Sequence, residues 1–372
     1  MILQFGTSRF LQAHVDLFAW EARLAGQTVA DIAIVQVSDD PVRAKRLAAF
    51  NDESGFPVVL KGLEAGQAIE RRIVVRSVRH GFAAARDWDA LRTLFVDRVT
   101  HVVSNSGDNG FYIPAEDRVP RVADKAPRSF CGIIVALLHL RWQAGKPGVT
   151  FLPCELAASN GATLRGHVID LATTLGLEAQ FLDWLGSACT WVNTLVDRIV
   201  SEPLEPAGAV AEPYALWAIE GGEGLDLPFT HPAIIVTDDL ARYERLKLHI
   251  LNLGHSWMAE RWHDAGAVPG VTVKDVMSDQ ASLGDLRRLY AEEVVPVFEE
   301  HGLGEAARDY VETTLDRFAN PFLEHRLADI FGGHEAKVKK RIGGFVAWAD
   351  ESAHVLPMPQ LRALAMRYGL ES

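Results

Sequence analysis

Short β-branched runs alternate with helix-patterned stretches through about the first two-fifths of the chain. "ILQFG", "DIAIVQVSDD", "THVVSNS" and "GVTFLPCEL" read as buried strands that stop at glycine or polar residues. Between them "FLQAHVDLFAWEARLA", "PVRAKRLAAFND", "DWDALRTLFV" and "SFCGIIVALLHLRWQAG" carry helical spacing. Strands separated by helices cannot form hairpins with one another. They pair in parallel, with helices covering both faces. "FPVVLKGL" and "ERRIVVRSV" read as an added pair of strands. Ligands on such sheets bind beyond the carboxyl ends of the strands, which directs attention to Gly6, Asp39, Asn105 and the segment after Pro153.

The character changes near residue 240. "TDDLARYERLKLHIL", "DLRRLYAEEVVPVFEEH", "EAARDYVETTLDRFAN" and "PQLRALAMRYGL" are helical, and Thr237 to Asp239 offer an N-cap before the first. "SEPLEPAGAVAEPYALWAIEGGEGLDLPF" is loop-rich and reads as the connection. The expected architecture is α/β: a Rossmann-like, mostly parallel sheet domain over residues 1–240, then an all-helical domain over 241–372. A chain of 372 residues with 48% apolar content can bury two such cores.

Net charge is −12, which disfavours a nucleic-acid partner, and the one short basic cluster is "KVKKR", Lys337 to Arg341. No run has the length and apolarity of a membrane span. The opening "MILQFGTSRF" reads as a strand rather than a signal peptide, and three cysteines without metal-like spacing read as reduced core thiols. A cytoplasmic protein is expected, as a monomer or homodimer. No metal is expected, because the thirteen histidines include no H-x-x-x-H or H-E-x-x-H.

"QFGTSRFLQAH" stands where a dinucleotide loop belongs. Gly6, Thr7, Ser8, Arg9 and Phe10 are the candidate cofactor-binding residues there. The loop has only the first of three glycines, so an ordinary strand-to-helix turn explains it equally well. Its backbone N–H groups would have to approach a pyrophosphate, which a small serine permits. An acid ending the second strand, Asp39, would take the adenosine ribose hydroxyls and repel a 2′-phosphate, or else serve as a plain N-cap. NAD is therefore expected, with NADP left open because Arg43 and Arg46 follow.

"KLHILNLGH" places Lys247, Asn252 and His255 in an apolar helical segment. On an unbroken α-helix they span an arc of roughly 140°, with Lys247 and His255 about 12 Å apart along the axis. A solvated lysine and a core histidine would account for spacing alone. The pattern K-x4-N-x2-H, however, resembles the signature of the polyol-specific long-chain dehydrogenases/reductases. "FGTSRFLQAH", "VVSNSGDNGF", "LPCELAASNG", "VNTLVDRIV" and "RFANPFLEHRLADI" resemble further motifs of that family in the same order. Ser8 stands where the family has a second glycine, and Gln12 where it has arginine.

The resemblance implies zinc-independent hydride transfer between a secondary alcohol and a nicotinamide. Lys247 would be the general base, with its apolar neighbours supplying the desolvation a lysine base requires. Asn252 and Asn160 would donate to the developing alkoxide. His255 would orient the substrate, and Asp197 would assist proton movement or form a structural ion pair. Asn105 would lie near the nicotinamide ribose, and Lys337 and Arg341 at the far end of the substrate. Asp329 stands where mannitol-type members carry arginine. The sequence ranks a neutral hexitol or pentitol first (altritol, mannitol or arabinitol). A sugar acid, with tagaturonate or fructuronate reduced to altronate or mannonate, comes second. A non-catalytic ligand sensor is the reading from another class.

Overall fold

The structure, a computed structural model, describes residues 1–38, 40–64, 66–107, 110–119 and 125–370. Thirteen strands occur among them, in chain order β1 (Ile2–Phe5), β2 (Ile32–Gln36), β3 (Phe56–Glu64), β4 (Gln67–Val75), β5 (Val78–Ala83), β6 (His101–Ser104), β7 (Thr150–Pro153), β8 (Thr190–Trp191), β9 (Thr194–Asp197), β10 (Val200–Pro203), β11 (Ala209–Ala211), β12 (Leu216–Glu220) and β13 (Ile234–Thr237). The main sheet runs β5-β2-β1-β6-β7-β8, and its neighbours are parallel throughout. With β3 and β4 set aside as an insertion, this is the dinucleotide-fold order 3-2-1-4-5-6.

Alternate residues of these strands feed two separate cores. Ile2, Ile32, Ile34 and Val103 pack on one face. Leu3, Phe5, Ala33, Val35 and Val102 pack on the other. A parallel sheet covered on both sides buries nearly every position, which is why β1, β2 and β6 read as mostly apolar runs, with Gln4, Gln36, His101 and Ser104 the buried polar exceptions.

Three features depart from the sequence reading. "VRHGFA" forms β5, the outer strand beside β2, where no strand was expected. Its glycine and histidine mask the pattern, yet Gly81 is needed: a Cβ there would come within 2.9 Å of the Leu47 carbonyl. The stretch expected as a loop-rich connection holds β10, β11 and β12. These strands join a four-stranded sheet, β10-β11-β3-β4, and a three-stranded sheet, β13-β12-β9. The partner of β11 is distant in sequence, Ala209–Ala211 lying against Val58–Leu60, so no local period reveals that pairing. The helix expected across "FLQAHVDLFAWEARLA" is broken into Arg9–Gln12 and Val15–Leu24.

The chain divides into two compact units. One comprises Met1–Leu60 and Arg71–Leu240; the other comprises Lys61–Glu70 and Ala241–Ser372. Within the second, Asn320 Nδ2 donates to the Lys61 carbonyl at 3.2 Å and Lys61 Nζ pairs with Glu70 at 3.2 Å. The second unit is otherwise helical, and its long helical stretch from Leu240 to Asp264 is not uniform. Lys247–Asn252 is a π-helical turn, flanked by α-helix on both sides. Further π turns occupy Tyr290–Val294 and Lys339–Gly343. Cys131, Cys154 and Cys189 are buried free thiols.

Candidate functional site

In the first unit, a cleft of about 500 Å³ opens beyond the carboxyl ends of β1, β2 and β6, where the strand order reverses. Gly6, Thr7 and Ser8 line it from the first strand, Gln36, Val37 and Ser38 from the second, and Asn105, Ser106 and Gly107 from β6. Arg46, Arg128 and Ser129 complete much of the wall.

Strand register explains the glycine. Phe5 stands opposite Ser104, so Gly6 lies beside Asn105. Gly6 has φ +113°, and a Cβ would come within 2.5 Å of the Asn105 carbonyl oxygen. Only glycine fits that turn. Ser8 caps the short helix after it: its Oγ accepts from the Leu11 amide at 3.2 Å. Gln12, in the place of the family's arginine, is buried and holds the loop from behind. Its Nε2 donates to the Thr7 carbonyl at 3.2 Å, and its Oε1 accepts from the Gly208 amide at 2.6 Å.

Of the seven expected cofactor residues, the cleft gathers Gly6, Thr7, Ser8 and Asn105. Arg9 and Phe10 do not line it. The Arg9 guanidinium pairs with Glu205 at 2.6 Å and donates to the Gly208 carbonyl at 3.1 Å. Phe10 stacks on His14, with ring centroids 4.8 Å apart. Asp39 lies outside the described residues, as does the side chain of Arg43. Arg46 donates from Nη1 to the Thr7 carbonyl at 3.2 Å.

Glu155, a motif residue that received no role from the sequence, anchors the β6 turn. Its Oε1 accepts from the Ser106 amide at 3.1 Å and the Ser106 hydroxyl at 2.8 Å; its Oε2 accepts from the Ser104 hydroxyl at 3.0 Å. Burial pushes its carboxyl above the usual range against these hydrogen bonds. Asn105 Nδ2 donates to the Cys154 carbonyl at 2.7 Å, fastening the same turn to β7. The signal for Glu155 was a lone acid directly after the apolar run "FLPC".

Two residues expected to be catalytic belong to this unit. Asn160 is buried, and its Nδ2 lies 2.9, 3.1 and 2.9 Å from the carbonyls of Pro153, Glu155 and Thr194. Its Oδ1 accepts from the Thr194 amide at 2.9 Å. These bonds hold the amide in the turn that joins β7 to the following helix. Asp197 is buried at the end of β9, opposite Leu216. Its neighbour Arg198 donates to four backbone carbonyls, those of Ala13, Glu212, Pro213 and Tyr214. Burial brings the Arg198 pKa down to about 10.

In the second unit, the π turn carries Lys247 and Asn252, and His255 follows on the α-helix beyond it. His255 is buried between Phe318 and His325, with ring centroids at 4.6 and 4.7 Å. His325 comes from "RFANPFLEHRLADI" and received no role from the sequence. Burial lowers its pKa, with Asp329 opposing and Lys337 and Arg341 reinforcing the shift. Lys337 Nζ donates to the Ile330 carbonyl at 2.7 Å. Arg341 Nη1 donates to the Asn252 carbonyl at 3.3 Å and the Ser256 hydroxyl at 3.1 Å. Burial lowers the pKa of both, and for Lys337 the charge of Arg341 adds to the effect. Among the described residues, no three His, Cys, Asp or Glu side chains gather as a metal site.

A parallel sheet in this order, with a cleft at its switch point and a glycine-dependent turn on its first strand, defines a dinucleotide-binding protein. The chain belongs to the mannitol dehydrogenase family: residues 1–227 match the mannitol dehydrogenase Rossmann domain, and residues 239–368 the mannitol dehydrogenase C-terminal domain. It is an NAD-dependent oxidoreductase, which removes the sensor reading. The altronate oxidoreductase of Bacillus subtilis strain 168 is 30% identical over 91% of this chain and 73% of its own length. That of Halalkalibacterium halodurans is 30% identical over 88% and 67%. Among solved structures, a D-sorbitol dehydrogenase superposes with TM-score 0.78 at 21% identity, covering 93% of this chain and 75% of the other. Pseudomonas fluorescens mannitol 2-dehydrogenase does so with TM-score 0.75 at 21% identity, covering 99% and 78%.

The cleft suits NAD. Gly6 brings the backbone close, the Ser8 hydroxyl hydrogen remains available to donate while its oxygen caps the helix, and Arg46 and Arg128 add positive charge to the wall.

Proposed function

We propose that this protein oxidises a secondary alcohol of a sugar acid of the altronate type to the keto acid, and catalyses the reverse reduction. The observation that carries the reading is the likeness to altronate oxidoreductases along nearly the whole chain. This reverses the order in which the sequence alone ranks the two substrate classes. The chemistry of the second unit supports it. A sugar acid differs from a hexitol by a carboxylate, which calls for a cation in the pocket. Lys337 and Arg341 stand one turn apart, and part of the lowering at Lys337 is the repulsion of Arg341. An anion between them would relieve that repulsion.

Lys247 takes the proton of the reacting hydroxyl during oxidation and returns it during reduction. Asn252 donates to the oxygen as it gains charge. His255, held edge-on to His325, fixes the neighbouring hydroxyls. NAD held in the cleft by Gly6, Thr7, Ser8 and Asn105 would supply the hydride acceptor. Asp329 stands near the same corner, and its carboxylate limits how far the anionic end of the substrate extends that way.

Comparing kcat/KM for altronate with altritol, mannitol and arabinitol tests the reading. Altronate should lead by at least about tenfold, roughly 1.4 kcal/mol in transition-state binding. A neutral polyol ahead by that margin would refute it.

A further inference from the structure

The three signature side chains sit across a helical defect, and the defect changes where they point. At Lys247–Asn252 the Leu253 amide bonds to the Leu248 carbonyl, five residues back. A π turn holds one residue more than an α turn. On an unbroken helix at about 100° per residue, Lys247, Asn252 and His255 lie at roughly 0°, 140° and 80°. One inserted residue takes about 100° off every position beyond the turn, which leaves Asn252 near 40° and His255 near −20°. The arc shrinks from roughly 140° to roughly 60°, and the axial separation by about 1.5 Å. The π turn gathers onto one strip what an α-helix would spread.

The turn is fastened from two other helices. The buried Tyr290 hydroxyl donates to the Ile250 carbonyl at 2.9 Å. Arg341 donates to the Asn252 carbonyl at 3.3 Å, and the His249 ring bonds in return to the Arg341 carbonyl at 3.0 Å. Tyr290 and Arg341 lie in π turns of their own. Gly254 makes the first contact feasible, because a Cβ there would overlap the Tyr290 hydroxyl.

We propose that Tyr290 and Arg341 are positioning residues, which hold the π turn so that Lys247, Asn252 and His255 address one substrate atom group together. The proposal rests on the reading of Lys247 as the acid–base group. Side-chain donors to the carbonyls of Ile250 and Asn252 stabilise the wide turn against reversion to α-helical bonding, which would swing Lys247 away from Asn252. Tyr290 is the cleaner probe, since Arg341 also stands in the proposed carboxylate site.

Tyr290→Phe keeps the ring in the core and removes only the hydroxyl. It should lower kcat on the order of 10–100-fold, the scale on which a small misplacement of a reacting group acts. KM for NAD should stay unchanged, and the pH profile of kcat should shift, which a general loss of stability does not produce. The double variant Lys247→Ala, Tyr290→Phe should be no slower than Lys247→Ala alone, because Tyr290 acts through the lysine. Gly254→Ala should reproduce the kcat loss by displacing the hydroxyl, and part of that loss should vanish in a Tyr290→Phe background. Full kcat in a folded Tyr290→Phe or Gly254→Ala variant, with Lys247→Ala inactive, overturns the positioning role and leaves the base assignment standing. Undiminished turnover in Lys247→Ala overturns both.

Discussion

Single buried groups in this protein carry charge states set by their surroundings rather than by their type. Asp16 is fully buried on the helix after the dinucleotide loop. Among the described residues its carboxyl meets Gln4 Nε2 at 3.4 Å, and Oδ1 has no hydrogen-bond partner. Burial holds the carboxyl well above the usual range, so the folded protein keeps a proton there that the unfolded chain releases above about pH 4. With the folded pKa raised, stability is lost as pH climbs from the ordinary value towards the folded one. Asp16→Asn carries no such proton. Its stability relative to the wild type should therefore rise with pH, by up to about 1.4 kcal/mol per pH unit while the difference in protonation lasts. Urea unfolding at pH 5 and pH 8 measures it. An equal difference at both pH values would mean that Asp16 is ionised in the fold. His14 is the mirror case: burial drops its pKa to about 3, and its Nε2 is committed to the Leu216 carbonyl at 3.0 Å.

Turns between elements hold the cofactor cleft open, and Glu155 dominates one of them. A single carboxyl takes the amide and hydroxyl of Ser106 and the hydroxyl of Ser104. Glu155→Ala would leave these donors without an acceptor, at a cost of about 1–3 kcal/mol. Glu155→Gln should keep most of the stability, because Oε1 still accepts and the Ser104 hydroxyl can reverse its role. Both effects should appear in thermal melts, and the alanine variant should also raise KM for NAD, since Asn105 and Ser106 line the cleft. A stable alanine variant with unchanged KM would mean that the turn holds its shape without the carboxyl. "FLPCEL" shows the strand that delivers Glu155 but not the turn it ties, because Ser104 and Ser106 are about fifty residues away in sequence.

For the molecule as a whole, cofactor binding is read most directly as stabilisation. NAD at about a hundred times its Kd should add about 2.7 kcal/mol to the stability of the unit that binds it. NADP should add less if Asp39 meets the 2′-phosphate. Equal shifts in melting temperature would place that carboxylate away from the ribose, with Arg46 on the cleft wall as the counterweight. The net charge of −12 opposes an anionic substrate at long range, so the affinity for altronate should depend on local cations rather than on the overall field. No helix among the described residues is long and apolar enough to cross a membrane.

The sequence by itself determined the parallel dinucleotide sheet, the helical second part, the first glycine of the loop and the family. Each is written in a local pattern or a contiguous motif, as in "ILQFG" and "KLHILNLGH". It also marked Lys247, Asn252 and His255 as a set while spreading them over too wide an arc. Tertiary structure decided the rest. Strand β5 pairs with β2 and β11 with β3, partners far away in the chain that no local period encodes. The motif names Asn160 but not its surroundings, and the carbonyls of Pro153, Glu155 and Thr194 are what engage its amide in the fold. The π turn is the plainest case. The sequence "KLHILN" is compatible with an α-helix; what accompanies the wider winding is a tyrosine hydroxyl forty residues on and an arginine beyond it, brought to two carbonyls by the folding of other helices.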